Sequence, residues 1–226
     1  PQILSEFAVD DEIRVVVMTG AGGKAFVSGA DISEFEQRRS SPEAIAEYDQ
    51  IAANANRAYT TLGKPLIAMI QGFCMGGGLL TAMRADLRIA SDNSQFGVPA
   101  ARLGLGYGYA AVKALVDLIG PSQTREILLT GKRFPAADAM RWGLINRVVT
   151  VDELENTVNE LAVTIADNAP MTIRAIRQSV DATLQDESRR DTALIDQLVA
   201  DCFASDDYRE GRSAFMEKRR PVFKGC

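Results

Sequence analysis

Short apolar runs alternate with helical patterns through the first half of the chain. Residues 13–19 (IRVVVMT) form a continuous apolar, β-branched run that ends at a glycine, which predicts a buried strand. Residues 65–71 (PLIAMIQ) predict a second buried strand, and residues 87–90 predict a third strand. Between them, a Ser-Pro-Glu sequence at 41–43 marks the start of a helix that continues to about residue 62. Strands that alternate with helices predict an α/β layered core with a largely parallel sheet.

The second half of the chain has the periodicity of helices and few residues that break them. Four helices are predicted, over residues 152–167, 171–185, 188–203 and 206–219. We therefore expect an α/β core over residues 1–165 and a helical C-terminal extension over residues 166–226, which folds back on its own core or packs on another subunit. Residues 1–11 resemble the end of a helix that leads into the first strand, and we expect that further residues precede them.

Two glycine-containing segments share one pattern, in which a strand is followed by a tight turn and the start of a helix. They are residues 26–32 (FVSGADI) and 71–78 (QGFCMGGG). The N–H groups at the start of a helix lack partners and bind negative charge. Two such groups that converge on one point would form an oxyanion hole. The alternative is that each segment is only a tight turn, and neither matches a P-loop or a dinucleotide-binding fingerprint.

The composition excludes several kinds of chemistry. The chain has no histidine, which rules out a Ser-His-Asp or Cys-His nucleophilic site, so proton transfer must use Asp, Glu, Tyr, Lys, Cys or water. A net charge of −5 does not indicate nucleic-acid binding. No stretch approaches the roughly 20 apolar residues that cross a bilayer. Three widely spaced cysteines predict neither a disulfide framework nor a metal site, which is typical of a reduced, cytoplasmic protein.

Five sequence blocks occur in a fixed order along the chain. They are VVVMTGAGGKAFVSGADI, KPLIAMIQGFCMGGGLLTAMRADLRIAS, FGVPAARLGLG, ILLTGKRFPAADAMRWGLINRVV and AFMEKRRPVFKG. With these blocks the sequence resembles the crotonase (enoyl-CoA hydratase/isomerase) superfamily over essentially its whole length. The resemblance implies an α/β fold with a crotonase-like core of (ββα) repeats and a helical C-terminal extension. It also implies an acyl-coenzyme A substrate, no prosthetic group, and assembly into a homotrimer or a dimer of trimers.

The resemblance further implies where the substrate binds. The thioester carbonyl would lie between two main-chain N–H groups, those of Ala30 in the GAD segment and Gly77 in the middle of GGG. The positions implied to contact coenzyme A are Ala30, Asp31, Ile32, Phe215 and Lys218. The last two often act from a neighbouring subunit in this family, and a lysine suits a phosphate. For Phe215 and Lys218 the alternative is ordinary helix packing and a solvated helix face.

Two departures from the family pattern concern proton transfer. Family hydratases use two glutamates around a water molecule, and the matching positions hold Leu80 and Ala100, which cannot transfer a proton. Tyr107, in the run LGLGYG, resembles an active-site tyrosine of family decarboxylases that act on malonyl-type thioesters. The alternative for Tyr107 is a loop aromatic that packs over the pocket. Cys74 has no histidine to activate it and is expected to be a small buried apolar residue.

Three functions follow from the matches and the departures together. The first is an acyl-CoA-binding lyase or isomerase of this family that stabilises a thioester enolate in a backbone oxyanion hole, with Leu80 and Ala100 in place of the glutamates. The second is a malonyl-type acyl-CoA decarboxylase that uses Tyr107. The third is a non-catalytic acyl-CoA-binding or scaffold protein. The missing glutamates count against ordinary water addition, whereas the GAD and GGG segments favour thioester binding in all three.

Overall fold

Two four-stranded sheets form the core of the computed structural model, which describes residues 2–29 and 41–226. The strands of the first sheet are β1 (Val16–Thr19), β3 (Leu66–Ile70), β5 (Leu87–Ser91) and β8 (Arg147–Val149). They lie in the order β1-β3-β5-β8 and are all parallel. The strands of the second sheet are β2 (Ala25–Val27), β4 (Phe73–Met75), β6 (Gln95–Gly97) and β7 (Phe134–Pro135). They lie in the order β2-β4-β6-β7, and only β7 is antiparallel to its neighbour.

Consecutive strands enter different sheets. Each long apolar strand of the first sheet is followed, after a short turn, by a three-residue strand of the second sheet. This succession of two strands and a helix is the (ββα) repeat, and the predicted fold class is confirmed. The strand pairing is largely parallel, as expected, but the strands divide between two sheets. The sequence pattern does not indicate this division, because strands as short as β4 and β6 carry too few residues to produce a recognisable alternation.

Nine helices are described outside the gap at residues 30–40. They are α1 (Gln2–Val9), α2 (Pro42–Thr61), α3 (Gly77–Ala82), α4 (Tyr109–Thr130), α5 (Ala136–Arg141), α6 (Val151–Ala166), α7 (Pro170–Thr183), α8 (Thr192–Ala204) and α9 (Asp206–Glu217). Two short 3₁₀ turns span Pro99–Leu103 and Glu187–Arg189. The sequence pattern does not predict α4, whose helical conformation is interrupted at Gly120 immediately before Pro121.

Side-chain caps explain where the helices begin. The Ser41 hydroxyl accepts a hydrogen bond from the Ala44 N–H (3.2 Å), as the Ser-Pro-Glu sequence predicts. The helix expected from residue 188 starts instead at Thr192. There the Asp191 carboxylate accepts from the Leu194 N–H (2.9 Å), and the residues before it form a separate 3₁₀ turn.

The core lies on both faces of the first sheet. A large cluster of buried side chains fills the space between the two sheets and the helices around them, and it includes Leu62, Leu66, Phe96, Leu115 and Leu144. On the opposite face, helix α6 packs against the sheet through a smaller cluster of Ile67, Ile89, Leu154 and Val158. Burial on both faces explains why β3 reads as a continuous apolar run rather than an alternating one.

Hydrogen bonds and an ion pair connect the C-terminal helices to the sheet core. The Arg14 guanidinium donates to the carbonyl oxygens of Phe223 (2.7 Å) and Ala166 (3.4 Å). On α7, the Arg177 Nε forms an ion pair with the Asp86 carboxylate at 2.9 Å. None of the described helices is long and apolar enough to cross a membrane.

Candidate active site

The two glycine-containing segments leave the second sheet side by side. Strands β2 and β4 are parallel neighbours, and Val27 pairs with Cys74. Just beyond these strands, a Cβ placed on Gly29 would lie 3.6 Å from the Met75 carbonyl oxygen. The residues that lead into both predicted oxyanion segments are therefore adjacent. Ala30, Asp31 and Ile32, which the sequence predicts to form half of the site, lie outside the described residues.

Each glycine of the GGG run meets a different requirement. Gly76 has φ 54° and ψ −117°, and its N–H donates to the Gly97 carbonyl oxygen (2.8 Å), which joins the end of β4 to β6. A Cβ on Gly78 would fall 2.2 Å from the Val27 carbonyl oxygen, so any side chain there would collide with β2. A Cβ on Gly77 would meet no described atom within 4 Å. A Cβ on Gly76 would also meet no described atom, but its positive φ disfavours a side chain, so Gly77 is the one of the three glycines with neither a collision nor a left-handed backbone.

The N–H of Gly77 has no hydrogen-bond partner among the described residues. Gly77 is the first residue of α3, and the first N–H groups of a helix have no partner within it. Its N–H also has no main-chain acceptor among the turn and loop bonds of the described residues. The dipoles of the helix favour negative charge at this end, although α3 is only six residues long. The Gly77 N–H is therefore free to donate to a ligand oxygen.

The two positions that the sequence analysis matched to hydratase glutamates hold apolar residues. Leu80 lies in α3, one turn from Gly76, and is half-buried. Ala100 lies in the 3₁₀ turn after β6, is 9% exposed, and belongs to the main core cluster. Its carbonyl oxygen accepts from the Leu105 N–H (3.0 Å), which closes the turn before the LGLGYG run. Neither residue offers a carboxylate.

Tyr107 follows this turn and packs against the main core cluster. Its hydroxyl is buried and is the one buried side-chain oxygen or nitrogen of the described residues without a hydrogen-bond partner. Burial raises the pKa of Tyr107 to about 12, so the phenol is neutral at physiological pH. A buried hydroxyl without a partner is rare in folded proteins, and such a group is suited to pair with a bound ligand or water. Tyr107 is available as a hydrogen-bond donor.

Cys74 precedes the GGG run on β4 and is fully buried. Burial raises the pKa of the Cys74 thiol to about 12, so the thiolate form is not populated near neutral pH. The sequence-based interpretation of Cys74 as a small apolar residue agrees with this position. Among the described residues, no group of three or more His, Cys, Asp or Glu side chains is placed to hold a metal ion.

The two C-terminal candidates lie at the end of α9, in the helical extension. Phe215 is 82% exposed, and the adjacent Met216 is 80% exposed. Lys218 caps the helix in a left-handed conformation, and its N–H donates to the Phe215 carbonyl oxygen at 3.3 Å. An exposed phenylalanine at a helix end is not core packing within this chain, so the surface is available for a ligand or another subunit.

The sequence analysis does not predict an apolar groove in the C-terminal extension. Helices α7, α8 and α9 line an open groove with a volume of about 1000 Å³. It is lined mainly by apolar side chains, including Ile176, Val180, Phe203, Tyr208, Phe215 and Phe223. In the sequence, the groove is indicated only by apolar residues on helices that are otherwise polar, such as Ile176 and Val180 on α7. Both of these side chains are more than half exposed in the structure.

Known proteins resemble the chain over its whole length. The family model described as enoyl-CoA hydratase/isomerase matches residues 1–226. A short-chain-enoyl-CoA hydratase of Clostridium acetobutylicum is 34% identical over 218 residues, which cover 96% of this chain and 83% of that protein. A carnitinyl-CoA dehydratase of Proteus mirabilis is 35% identical over 231 residues, which cover 99% and 86%. The crystal structure of an enoyl-CoA hydratase/carnithine racemase from Magnetospirillum magneticum superposes with a TM-score of 0.92 at 34% identity, covering 100% of this chain and 84% of that one.

Proposed function

The chain belongs to the enoyl-CoA hydratase/isomerase family, and we propose that it binds an acyl-CoA thioester and stabilises its enolate in an oxyanion hole formed by the N–H groups of Ala30 and Gly77. The observation that carries this proposal is the N–H of Gly77, which begins a helix and has no hydrogen-bond partner among the described residues. Two main-chain donors aimed at one oxygen stabilise developing negative charge by about 3–4 kcal/mol each in comparable enzymes. Coenzyme A enters as part of the substrate, and no prosthetic group is needed.

The reaction must generate the enolate without the two family glutamates. Leu80 and Ala100 stand at those positions, and neither can remove a proton from carbon or activate water. Ordinary addition of water to an enoyl thioester is therefore not the proposed reaction, although the chain remains within the lyase and isomerase chemistry of its family. The reaction that fits is one in which the substrate itself supplies the electron pair of the enolate.

Decarboxylation of a malonyl-type thioester is the second candidate, and the buried, unpartnered hydroxyl of Tyr107 favours it. When the bond between the carboxylate carbon and the α-carbon breaks, carbon dioxide leaves and the electron pair stays on the thioester as the enolate. The oxyanion hole stabilises that enolate, and a proton from water then completes the α-carbon. A neutral Tyr107 can donate a hydrogen bond that orients the departing carboxylate or the incoming water.

The C-terminal extension is proposed to complete the coenzyme A site. Phe215 and Lys218 would contact coenzyme A, together with Ala30, Asp31 and Ile32. The exposed Phe215 and the apolar groove of α7, α8 and α9 support assembly into a homotrimer or a dimer of trimers, in which the exposed apolar side chains of residues 166–226 contact a neighbouring subunit. We place this assembly in the cytoplasm. Light scattering on the purified protein tests it, and a monomer at micromolar concentration would contradict it.

Turnover of two substrates tests the function. The protein is incubated with crotonyl-CoA and with malonyl- or methylmalonyl-CoA, while thioester absorbance and release of carbon dioxide are followed. Decarboxylation that falls in Tyr107→Phe supports the second candidate, and decarboxylation that does not change in this variant removes Tyr107 from the mechanism. Binding of both thioesters without any turnover would identify a non-catalytic acyl-CoA-binding protein. Failure to bind either one would contradict the proposal as a whole.

A further inference from the structure

Lys218 stands at a reversal of the chain. It is the only described residue other than glycine with a positive φ (57°), and its ψ is 34°. Helix α9 ends there, and the N–H of Arg219 donates to the Ala214 carbonyl oxygen (3.0 Å). Glycine is the residue usually found in this left-handed position, because a side chain is disfavoured there. A lysine that keeps this conformation points to a use for its side chain.

After Lys218 the chain runs back along α9. We call residues 219–226 the return segment. Its far end is held at the start of the helix, where the Asp207 carboxylate accepts from the N–H groups of Lys224 (2.7 Å) and Gly225 (2.8 Å). The Phe223 ring packs on the helix at Gly211, where a Cβ would lie 3.5 Å from it. These contacts fix the end of the return segment that is distant from Lys218.

The near end of the return segment depends on Glu210. Its carboxylate accepts two hydrogen bonds from the Arg219 guanidinium, at 2.5 and 2.8 Å, in a two-pronged ion pair. One of its oxygens also accepts from the Val222 N–H (2.9 Å). Glu210 therefore holds the residue that follows Lys218 and a second point three residues further on. Glu217 contacts the same guanidinium at Nε (2.6 Å) but makes no contact with the return segment backbone.

Lys218 and Arg219 are neighbouring cations that differ in their ion-pair partners. The charge of Arg219 is matched by Glu210 and Glu217, and the Arg219 ion pair holds the pKa of the Glu210 carboxyl at about 2. The ammonium group of Lys218 forms no ion pair or hydrogen bond with any residue that the structure describes. At the reversal, Lys218 thus combines a defined left-handed backbone with an ammonium group that has no acidic partner among the described residues; the Arg220 side chain nearby also lacks one, and unmatched cations of this kind suit a phosphate.

We propose that Glu210 is a positioning residue for coenzyme A binding, which holds Arg219 and the return segment so that Lys218 keeps its left-handed conformation and presents its ammonium group to a phosphate of the ligand. This inference rests on the proposed binding of coenzyme A at Lys218. Glu210 itself would not touch the ligand. Its removal should therefore weaken binding only through Lys218.

A double-mutant cycle measures this dependence. Dissociation constants are determined by calorimetry for acetyl-CoA and for S-acetylpantetheine, which lacks the nucleotide phosphates, with the wild type, Glu210→Gln, Lys218→Gln and the double variant. We expect Glu210→Gln to weaken acetyl-CoA binding by about three- to tenfold and to have less than about a twofold effect when Lys218 is already glutamine. Binding of S-acetylpantetheine should not change in either single variant. The control Glu217→Gln, which removes a carboxylate from the same arginine, should bind acetyl-CoA as the wild type does.

The outcomes distinguish a failure of the proposed function from a failure of the positioning role of Glu210. If the wild type does not bind acetyl-CoA, the proposed function fails. If the wild type binds it and Lys218→Gln binds equally well, or if Glu210→Gln has the same effect with and without Lys218, the positioning role is overturned. Should Glu210→Gln lower the thermal stability too far for calorimetry, Arg219→Lys is used instead, because it keeps the charge and loses the two-pronged contact. Unchanged acetyl-CoA binding in that variant would also overturn the proposal.

Discussion

Gly29 and Met75 lie against each other at the ends of two neighbouring strands, so that a Cβ on Gly29 would be 3.6 Å from the Met75 carbonyl oxygen. This contact sets the spacing between the turn that precedes Ala30 and the turn that precedes Gly77. A pair of N–H donors on separate segments can act on one oxygen only if the segments that carry them lie side by side. The parallel pairing of β2 with β4 shifts register between Ala25 and Val27 and places Val27 opposite Cys74, which brings the ends of these two strands together.

Substitution by alanine should lower the stability of the protein at Gly78 but not at the adjacent Gly77. Gly78→Ala places a methyl group 2.2 Å from the Val27 carbonyl oxygen, and we expect it to lower the free energy of unfolding by about 1–3 kcal/mol. Gly77→Ala enters open space and should change stability by less than about 1 kcal/mol. Denaturant unfolding of both variants measures the difference. Equal losses would show that the close approach of α3 to β2 is not specific to Gly78.

The hydroxyl of Tyr107 should matter for turnover and not for stability. It is buried without a partner, so Tyr107→Phe removes an unsatisfied group and should leave the free energy of unfolding unchanged or raise it by up to about 1 kcal/mol. Decarboxylation should fall in the same variant. Tyr109→Phe is the matched control, since Tyr109 is 81% exposed, and it should alter neither quantity. A marked loss of stability in Tyr107→Phe would reveal a structural partner for the hydroxyl.

Crotonyl-CoA should bind without being hydrated at the rates of family hydratases. Leu80 and Ala100 leave no carboxylate to activate water, and acid-base catalysis by such groups contributes roughly 10²–10⁴-fold each. The measurement follows loss of the enoyl thioester absorbance, with calorimetric binding of the same ligand as the control. Rapid hydration would mean that another group replaces the glutamates.

The ion pair at Glu210 should contribute to stability above the ordinary range of a glutamate pKa. Arg219 lowers the pKa of Glu210 from 4.5 to about 2 in the folded chain. A folded-state pKa below the unfolded value stabilises the protein at pH above 4.5, and this stability is lost as pH falls from 4.5 towards 2. The free energy of unfolding of Glu210→Gln should therefore vary less steeply across this range than that of the wild type. Glu155→Gln, on the exposed face of α6, is the control, and identical slopes for Glu210→Gln and the wild type would exclude the contribution.

Local signals in the sequence were enough for the long apolar strands and for the helix capped by Ser41. A continuous apolar run and a capping hydroxyl act over a few residues, so they are visible without the fold. The second sheet was not predicted, because β4, β6 and β7 have three residues or fewer and acquire their conformation from neighbouring strands. Helix α4 was missed because Gly120 and Pro121 interrupt its sequence in the manner of a loop.

The features of the candidate site also differ in whether they could be predicted from local sequence or only from the fold. The family resemblance implied Gly77 as a donor, and that stays a prediction. The need for glycine at position 78 comes from the Val27 carbonyl oxygen, which belongs to a strand distant in sequence. Lys218 was implied by resemblance, yet its left-handed backbone has no signal in the sequence because glycine, not lysine, is the residue that predicts it. The contact between Glu210 and Arg219 depends on that reversal and could not be predicted without it.

Enolate formation by bound acetoacetyl-CoA tests the oxyanion hole most directly. The β-ketone makes the α-proton of this thioester acidic, so the enolate forms without an enzyme base, and it absorbs in the near ultraviolet. Two variants isolate the contribution of the Gly77 N–H. Gly77→Ala and Gly77→Pro both add side-chain atoms, but only proline removes the N–H. Proline is tolerated here because Gly77 is the first residue of its helix. Binding to the wild type and to Gly77→Ala should shift the ligand towards the enolate at neutral pH, and the shift should be about 10²-fold weaker in Gly77→Pro. An enolate signal that is absent in the wild type, or equal in the alanine and proline variants, would contradict an oxyanion hole at Gly77.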